Sequence, residues 1–195
     1  MALLFVLSGP SGVGKDSLLA RMKARGLPLH FAVTAATRPP RPGEKDGQDY
    51  HFLSPERFTE MREKGELLEW AQVYGHWYGA PKAEIRSALS RGQDVMIKVD
   101  VQGAATIKKM VPRAVFIFLA APSIEELTQR LRQRRTETPS DLELRLKTAR
   151  EELKQLSLFD YIVYNRPDEL DRAVADVRAI ITAEKCRVAP REISL

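Results

Sequence analysis

The sequence has one cysteine, few aromatic residues and only short apolar runs. Cys186 is the only cysteine in 195 residues, so no intramolecular disulfide can form, and we expect a reducing, cytoplasmic location. The N-terminal apolar run, residues 3–8, is far too short to span a membrane and has no basic segment before it. No internal repeat, low-complexity tract or coiled-coil register interrupts the chain, which excludes fibrous and repeat architectures.

Composition and pattern together predict one α/β domain over residues 1–195. The 44% of hydrophobic and 29% of charged residues are typical of a globular protein of this length. Short apolar runs alternate with helical patterns, which favours a parallel sheet flanked by helices. Residues 35–79 differ from this pattern, because short strand signals and turns follow one another there, and we expect them to form a small β-rich insert. The pattern predicts a strand near residues 30–34 before the insert. Within the insert it predicts a helix with Ser54 as its cap and Pro55 at its first position.

Two groups of arginines stand out along the chain. The net charge is +5, and Arg38 and Arg41 stand close together in a proline-rich loop, while a second group of arginines occupies residues 130–150. Two compact clusters suit small substrates that carry several phosphates. Neither arginine cluster contains an aromatic residue, so we expect neither nucleic acid nor a membrane as a partner.

The most specific motif is a glycine-rich turn between a predicted strand and a predicted helix. Residues 9–15 read GPSGVGK, and the helical pattern follows directly. In such a phosphate-binding loop the glycines let backbone N–H groups surround an anion, the helix N-terminus adds partial positive charge, and Lys15 adds a full charge. The motif therefore predicts binding of a nucleoside triphosphate.

One position of this loop departs from the usual pattern. Ser or Thr normally follows the lysine and binds Mg²⁺ through its hydroxyl, whereas this chain has Asp16. A carboxylate is also a good Mg²⁺ ligand, and Ser17 offers a hydroxyl one position later. The sequence leaves open whether Asp16 or Ser17 binds the metal, or whether the extra negative charge impairs catalysis.

A second group of polar residues lies in the predicted insert. Prolines hold Arg38 and Arg41 in an extended loop, an arrangement suited to binding a phosphate dianion, and Tyr50 can add a hydroxyl donor. Glu69, on a predicted strand, could accept two N–H bonds from the edge of one ligand. Taken alone, each of these features would equally fit an ordinary polar surface.

Together these motifs resemble the guanylate kinases, and the similarity runs almost from end to end. The segments that carry it are residues 9–15, TRPPRPGE at 37–44, DGQDY at 46–50, LEWA at 68–71, WYG at 77–79, VDVQG at 99–103, Arg134 with TET at 136–138, and IVYN at 162–165. The resemblance implies purine nucleotide metabolism: phosphoryl transfer from ATP to GMP and dGMP, with Mg²⁺. It divides the domain into a core (residues 1–34 and 80–195), a GMP-binding insert (about 35–79) and a lid (about 134–146).

The resemblance also assigns roles to individual residues. Those implied in ATP binding are Gly9, Pro10, Ser11, Gly12, Val13, Gly14, Lys15, Asp16, Ser17 and Asn165. Those implied in GMP binding are Thr34, Arg38, Arg41, Glu44, Tyr50, Glu69, Tyr78 and Asp100. The implied catalytic residues are Lys15, Arg38, Arg134 and Arg145.

Some positions differ from the family, and two alternatives stay open. Ala80 replaces a Ser or Thr that helps to bind guanine, and Lys98 replaces an acidic residue. The Lys-Asp-Ser order in the loop also resembles ribose 1,5-bisphosphate kinases, which make the first alternative. The second is a non-catalytic guanylate-kinase-like module that binds phosphopeptides.

Overall fold

The computed structural model describes residues 1–133 and 139–195 and has the expected α/β architecture, with a parallel sheet flanked by helices. The strands are β1 (Leu4–Ser8), β2 (His30–Phe31), β3 (Ala35–Ala36), β4 (His51–Phe52), β5 (Leu67–Val73), β6 (His76–Pro81), β7 (Val95–Lys98), β8 (Val115–Ala120) and β9 (Tyr161–Tyr164). The helices are α1 (Lys15–Ala24), α2 (Pro55–Glu63), α3 (Lys82–Ser90), α4 (Val101–Met110), α5 (Ile124–Gln133), α6 (Pro139–Leu153) and α7 (Leu170–Lys185). Within the described ranges, none of these helices is long and apolar enough to cross a bilayer.

The first sheet has five strands in the order β2-β7-β1-β8-β9. β2 pairs with β7, and β8 with β9, in parallel. All residues of β1 and β8 are buried, as expected for strands with helices on both faces. The polar residues that follow such strands are held at defined positions, and the glycine-rich loop directly follows β1.

The second sheet is formed by the predicted β-rich segment, in the order β4-β3-β6-β5. β5 and β6 form an antiparallel hairpin that turns at Gly75, where φ is +82°. Helix α2 begins as predicted, with Pro55 in its first turn and the Ser54 hydroxyl accepting from the Arg57 amide. Phe58 of α2 packs with Ala35 and Leu67, giving this sheet its own apolar core.

The predicted strand over residues 30–34 is wrong in one respect. It ends at Phe31, and the chain then enters the second sheet as β3. The last backbone bond of this segment to the first sheet runs from the Ala32 amide to the Met96 carbonyl, and the Thr34 carbonyl already accepts from the His51 amide. Residues 31–36 contain no glycine or proline, so nothing local marks the change of sheet, which depends on distant partners.

The fold divides into two compact units. Unit 1 comprises residues 1–6, 28–114 and 192–195, and it includes the whole second sheet. Unit 2 comprises residues 7–27 and 115–191, and it includes the glycine-rich loop with helices α1, α5, α6 and α7.

Candidate phosphate-binding and base-binding sites

The glycine-rich loop of unit 2 has the backbone that an anion-binding turn requires. Gly9, Gly12 and Gly14 have φ values of +140°, +85° and +100°, which other residues rarely adopt. Helix α1 begins at Lys15, directly after Gly14, so its first free N–H groups point into the loop. The predicted strand–loop–helix arrangement is therefore confirmed.

Neighbouring atoms also exclude side chains at these glycines. A Cβ at Gly9 would overlap the Leu119 carbonyl, and one at Gly14 would overlap the amide of Asn165. A Cβ at Gly12 would lie 2.5 Å from Cδ2 of Leu131. The loop is thus packed against the ends of β8 and β9 and against α5, which holds its backbone in one shape.

Hydrogen bonds to the Val13 carbonyl also hold the loop against its neighbours. It accepts hydrogen bonds from Nδ2 of Asn165 at 2.8 Å and from Nη1 of Arg130 at 3.2 Å. Nη2 of Arg130 donates to the Asn165 carbonyl at 2.9 Å, and its Nε donates to Glu126 at 2.9 Å. Asn165, predicted at the ATP site, therefore meets the loop through a buried hydrogen bond.

Arg130 is a candidate site residue that no local pattern of the sequence identifies. Its spacing from Glu126 is that of an ordinary i,i+4 pair on a solvated helix face, and nothing local separates it from Arg132. Its contact with the loop joins residues 117 positions apart. Only the tertiary structure reveals such a contact.

Two further cations of unit 2 contact the loop. Nζ of Lys15 donates to the carbonyls of Gly9 and Pro10, and Nη1 of Arg145 donates to the Ser11 hydroxyl at 2.8 Å. Arg145 was predicted to belong to the lid, and the structure brings it to the loop. The predicted catalytic residue Arg134 lies outside the described residues.

An open polar groove of about 750 Å³ adjoins the loop within unit 2. Ser17, Arg130 and Asn165 line it, together with residues 166–168. Asp16 and Ser17, the two candidate metal ligands, are both exposed in the first turn of α1. The groove is large enough for a nucleoside, and its lining offers hydrogen-bonding groups and charge rather than an apolar slot.

In unit 1, Arg38 and Glu44 form a nearly buried ion pair. Nη1 and Nη2 of Arg38 donate to the two Glu44 carboxylate oxygens at 2.6 and 2.7 Å, and the Arg41 amide donates to the same carboxylate at 2.7 Å. Burial raises the pKa of Glu44, but these bonds outweigh it and leave that pKa below its ordinary value. Glu44 therefore shapes the loop that presents both arginines.

Aromatic rings surround the Arg38 guanidinium. Its Cζ lies 4.9 Å from the centre of the Tyr50 ring and 5.5 Å from that of Phe52. Tyr50 meets Tyr78 edge to face, with ring centres 6.1 Å apart, and Nζ of Lys98 lies 3.9 Å from the centre of the Tyr50 ring. Nε of Arg38 is buried without a hydrogen-bond partner among the described residues. The cluster is thus rich in donors that a phosphate could use.

Glu69 presents the most unusual electrostatics of unit 1. It is only 4% exposed, and its carboxyl group accepts no hydrogen bond from the residues that the structure describes. Burial, reinforced by the charge of Asp100, raises the pKa of Glu69 to about 8. A Cβ on Gly103 would lie 2.5 Å from Oε2 of Glu69 and 3.1 Å from Oδ1 of Asp100, so both carboxyl groups converge on this glycine.

The other residues predicted at the base site also belong to unit 1. Asp100 caps α4 by accepting from the Gly103 amide at 2.8 Å, which fixes its orientation. Ala80 is the cross-strand partner of Glu69 and offers it no polar group. Thr34 is buried in the segment through which the chain passes from β2 to β3.

The comparisons with known proteins agree with one another. A family model described as guanylate kinase matches residues 1–184. The chain is 47% identical over 194 residues to "Guanylate kinase 2, chloroplastic/mitochondrial" of Oryza sativa subsp. japonica, covering 99% of this chain and 68% of that protein. It is 46% identical over 186 residues to the guanylate kinase of Caldanaerobacter subterraneus subsp. tengcongensis, covering 95% and 89%.

A solved structure agrees with the sequence comparisons. The crystal structure of guanylate kinase from Anaplasma phagocytophilum superposes with a TM-score of 0.76 at 30% identity, covering 96% of this chain and 88% of that one. Sequence and structure thus lead to the same conclusion: the chain belongs to the guanylate kinase family.

Proposed function

We propose that this protein transfers the γ-phosphoryl group of ATP to GMP and releases ADP and GDP. The observation that carries this proposal is the buried, unbonded carboxyl group of Glu69, which shares unit 1 with the donor-rich cluster around Arg38. Guanine carries two adjacent N–H donors on one edge, and a carboxylate accepts both. A buried acceptor left without a donor costs free energy, which favours a ligand that supplies donors.

The acceptor phosphate of GMP is assigned to the aromatic cluster of unit 1. Arg38 and Arg41 supply positive charge, the exposed Arg41 side chain offers bidentate donors, and Tyr50 and Tyr78 add hydroxyls. Glu44 keeps both arginines in place through the bonds described above. Thr34 and Asp100 complete the proposed base site beside Glu69. Because dGMP carries the same base and phosphate as GMP, it is a proposed substrate too.

The donor nucleotide is assigned to unit 2. The loop at residues 9–17 would bind the phosphates of ATP through its N–H groups, and Asn165 borders the groove proposed for the nucleoside. Lys15 and Arg145, with Arg134, would neutralise the charge that spreads over the transferred group. The acceptor phosphate is already anionic, so no general base is required, and exclusion of water by the proposed lid at 134–146 would prevent hydrolysis of ATP.

Mg²⁺ fits the donor set at the start of α1. Asp16 and Ser17 are exposed there and offer the hard oxygen atoms that Mg²⁺ prefers. When bound, the ion would neutralise phosphate charge beside Lys15. The core, insert and lid division inferred from the sequence is part of the same proposal.

An acceptor panel tests the proposed function. The purified chain is given ATP and Mg²⁺ with GMP, dGMP, AMP, UMP or ribose 1,5-bisphosphate, and ADP release is measured. We expect turnover with GMP and dGMP, and none after chelation of Mg²⁺. Turnover of the ribose compound without turnover of GMP would refute the proposal, and so would binding of a phosphopeptide without any turnover.

A further inference from the structure

A carboxylate at the junction of the two sheets of unit 1 has no role in the chemistry above. Glu84 lies in the first turn of α3, just after β6 leaves the second sheet. Nε2 of His30, on β2 of the first sheet, donates to its Oε1 at 2.8 Å. Nε2 of His51, on β4 of the second sheet, lies 3.9 Å from its Oε2.

Glu84 also touches the chain where it passes from one sheet to the other. The Val33 amide lies between β2 and β3, and it donates to Oε1 of Glu84 at 3.4 Å. One side chain therefore contacts the edge of the first sheet, the connecting segment and the edge of the second sheet. Because Glu84 is 28% exposed, these contacts are only partly screened by water.

The contact between His51 and Glu84 is linked to the proposed phosphate cluster by one extended segment, residues 50–52. Successive side chains of an extended strand point to opposite faces. Tyr50 and Phe52 share the face toward Arg38, at 4.9 and 5.5 Å from its Cζ, whereas His51 between them reaches Glu84 on the other side. Fixing His51 therefore fixes the position of Tyr50.

We infer that Glu84 is a positioning residue for the acceptor substrate, acting through His51 and His30 to set where Tyr50, the residue directly before β4, faces the phosphate of GMP. This inference rests on the proposed function, because it assigns the phosphate to the Arg38–Tyr50 cluster. Glu84 itself touches neither substrate in this scheme. Its loss should therefore weaken binding of GMP without affecting the donor nucleotide or the chemical step.

The test compares Glu84→Ala with Glu84→Gln and with the control Glu60→Ala. Glu60 is an exposed carboxylate of unit 1 that pairs with Arg57 at 2.9 Å on α2, so its loss removes the same charge away from the junction. For Glu84→Ala we expect KM for GMP to rise about fivefold to tenfold, as for the loss of one charge-assisted hydrogen bond. KM for ATP and kcat should stay within about twofold.

The conservative variant separates positioning from simple destabilisation. The carbonyl oxygen of Gln can still accept from His30, so Glu84→Gln should recover most of the affinity for GMP, and Glu60→Ala should match the wild type. His51→Ala should also raise KM for GMP, and adding it to Glu84→Ala should bring little further change. Because His51 is 40% exposed, we expect the single variant His51→Ala to fold. It therefore tests the inference even if Glu84→Ala does not fold.

Two results would overturn the inference. One is an unchanged KM for GMP in Glu84→Ala and His51→Ala, and the other is an equal rise of both KM values with a lowered melting temperature. Absence of GMP turnover in the wild type would instead contradict the proposed function, so the two failures are distinguishable.

Discussion

The side-chain amide of Asn165 lies where a side chain on Gly14 would begin. The same amide donates a buried hydrogen bond to the Val13 carbonyl at 2.8 Å. The end of β9 and the last turn of the phosphate loop are therefore fitted to each other, and any larger residue at position 14 must displace Asn165. A substitution at this glycine disturbs both the backbone conformation and the hydrogen bond.

We therefore predict that Gly14→Ala is more damaging than Gly26→Ala. Both glycines have positive φ, +100° and +64°, but in the part of the chain that the structure describes no atom beyond the adjacent residues lies within 4 Å of a Cβ at Gly26. Gly26→Ala should cost about 1 kcal/mol of unfolding free energy, while Gly14→Ala should cost roughly 2–3 kcal/mol and lower kcat/KM for ATP at least about tenfold. Urea denaturation and initial rates measure both, and equal effects of the two variants would contradict the packing argument.

The carboxyl group of Glu69 predicts a pH dependence of stability. Its pKa of about 8 in the folded chain lies above the ordinary value of 4.5, so between these values the folded state holds a proton that the unfolded state has lost. The contribution of Glu69 to the free energy of unfolding is therefore fully present below about pH 4.5. It is lost as the pH rises toward 8, by up to roughly 1.4 kcal/mol per pH unit. Glu69→Gln should remove this slope, which urea denaturation at several pH values would reveal.

The same proton affects GMP binding in the opposite direction. Guanine needs the carboxylate form of Glu69 to accept its two N–H bonds, so affinity for GMP should increase with pH up to about 8 and then level off. Calorimetry in buffers of different ionisation enthalpy should show release of a proton on binding below that pH. An affinity independent of pH from 6 to 8.5 would contradict this assignment.

Arg41 offers a clean test of the acceptor site. Its side chain is exposed, and its bond to Glu44 comes from the backbone amide, so Arg41→Ala keeps the loop contact. We expect a rise of about tenfold or more in KM for GMP, as for a lost arginine–phosphate contact, with KM for ATP nearly unchanged. Equal increases for both substrates would place Arg41 elsewhere than at the acceptor phosphate.

Asp16→Ser addresses the metal ligand. The serine restores the residue type usual after the lysine of such loops, and the exposed position should accommodate it without loss of stability. If Asp16 binds Mg²⁺, the concentration of Mg²⁺ needed for half-maximal activity should change several-fold, whereas ATP binding without metal should persist. An unchanged Mg²⁺ profile would identify Ser17 as the ligand.

Contiguous motifs were predictable, whereas contacts between distant segments were not. The loop at residues 9–17 and the cap of α2 at Ser54 follow from local chemistry, and both are confirmed. Arg130 and Glu84 gain their importance from partners on other elements, at Val13 and His51, and their local patterns are those of ordinary helix residues. The break between β2 and β3 had the same cause, since pairing with distant strands, not a local signal, ends β2.

Gly9 and Gly12 of the phosphate loop differ in the kind of atom that blocks a larger residue at each position. At Gly9 the obstacle is the Leu119 backbone, which no substitution at position 119 can remove. At Gly12 it is the flexible end of Leu131, which a shorter residue would clear. A second substitution, at position 131, could therefore make room for a side chain at position 12, whereas no second substitution could do so at position 9. Replacement of a loop glycine thus depends on whether the blocking atoms belong to a side chain or to the main chain.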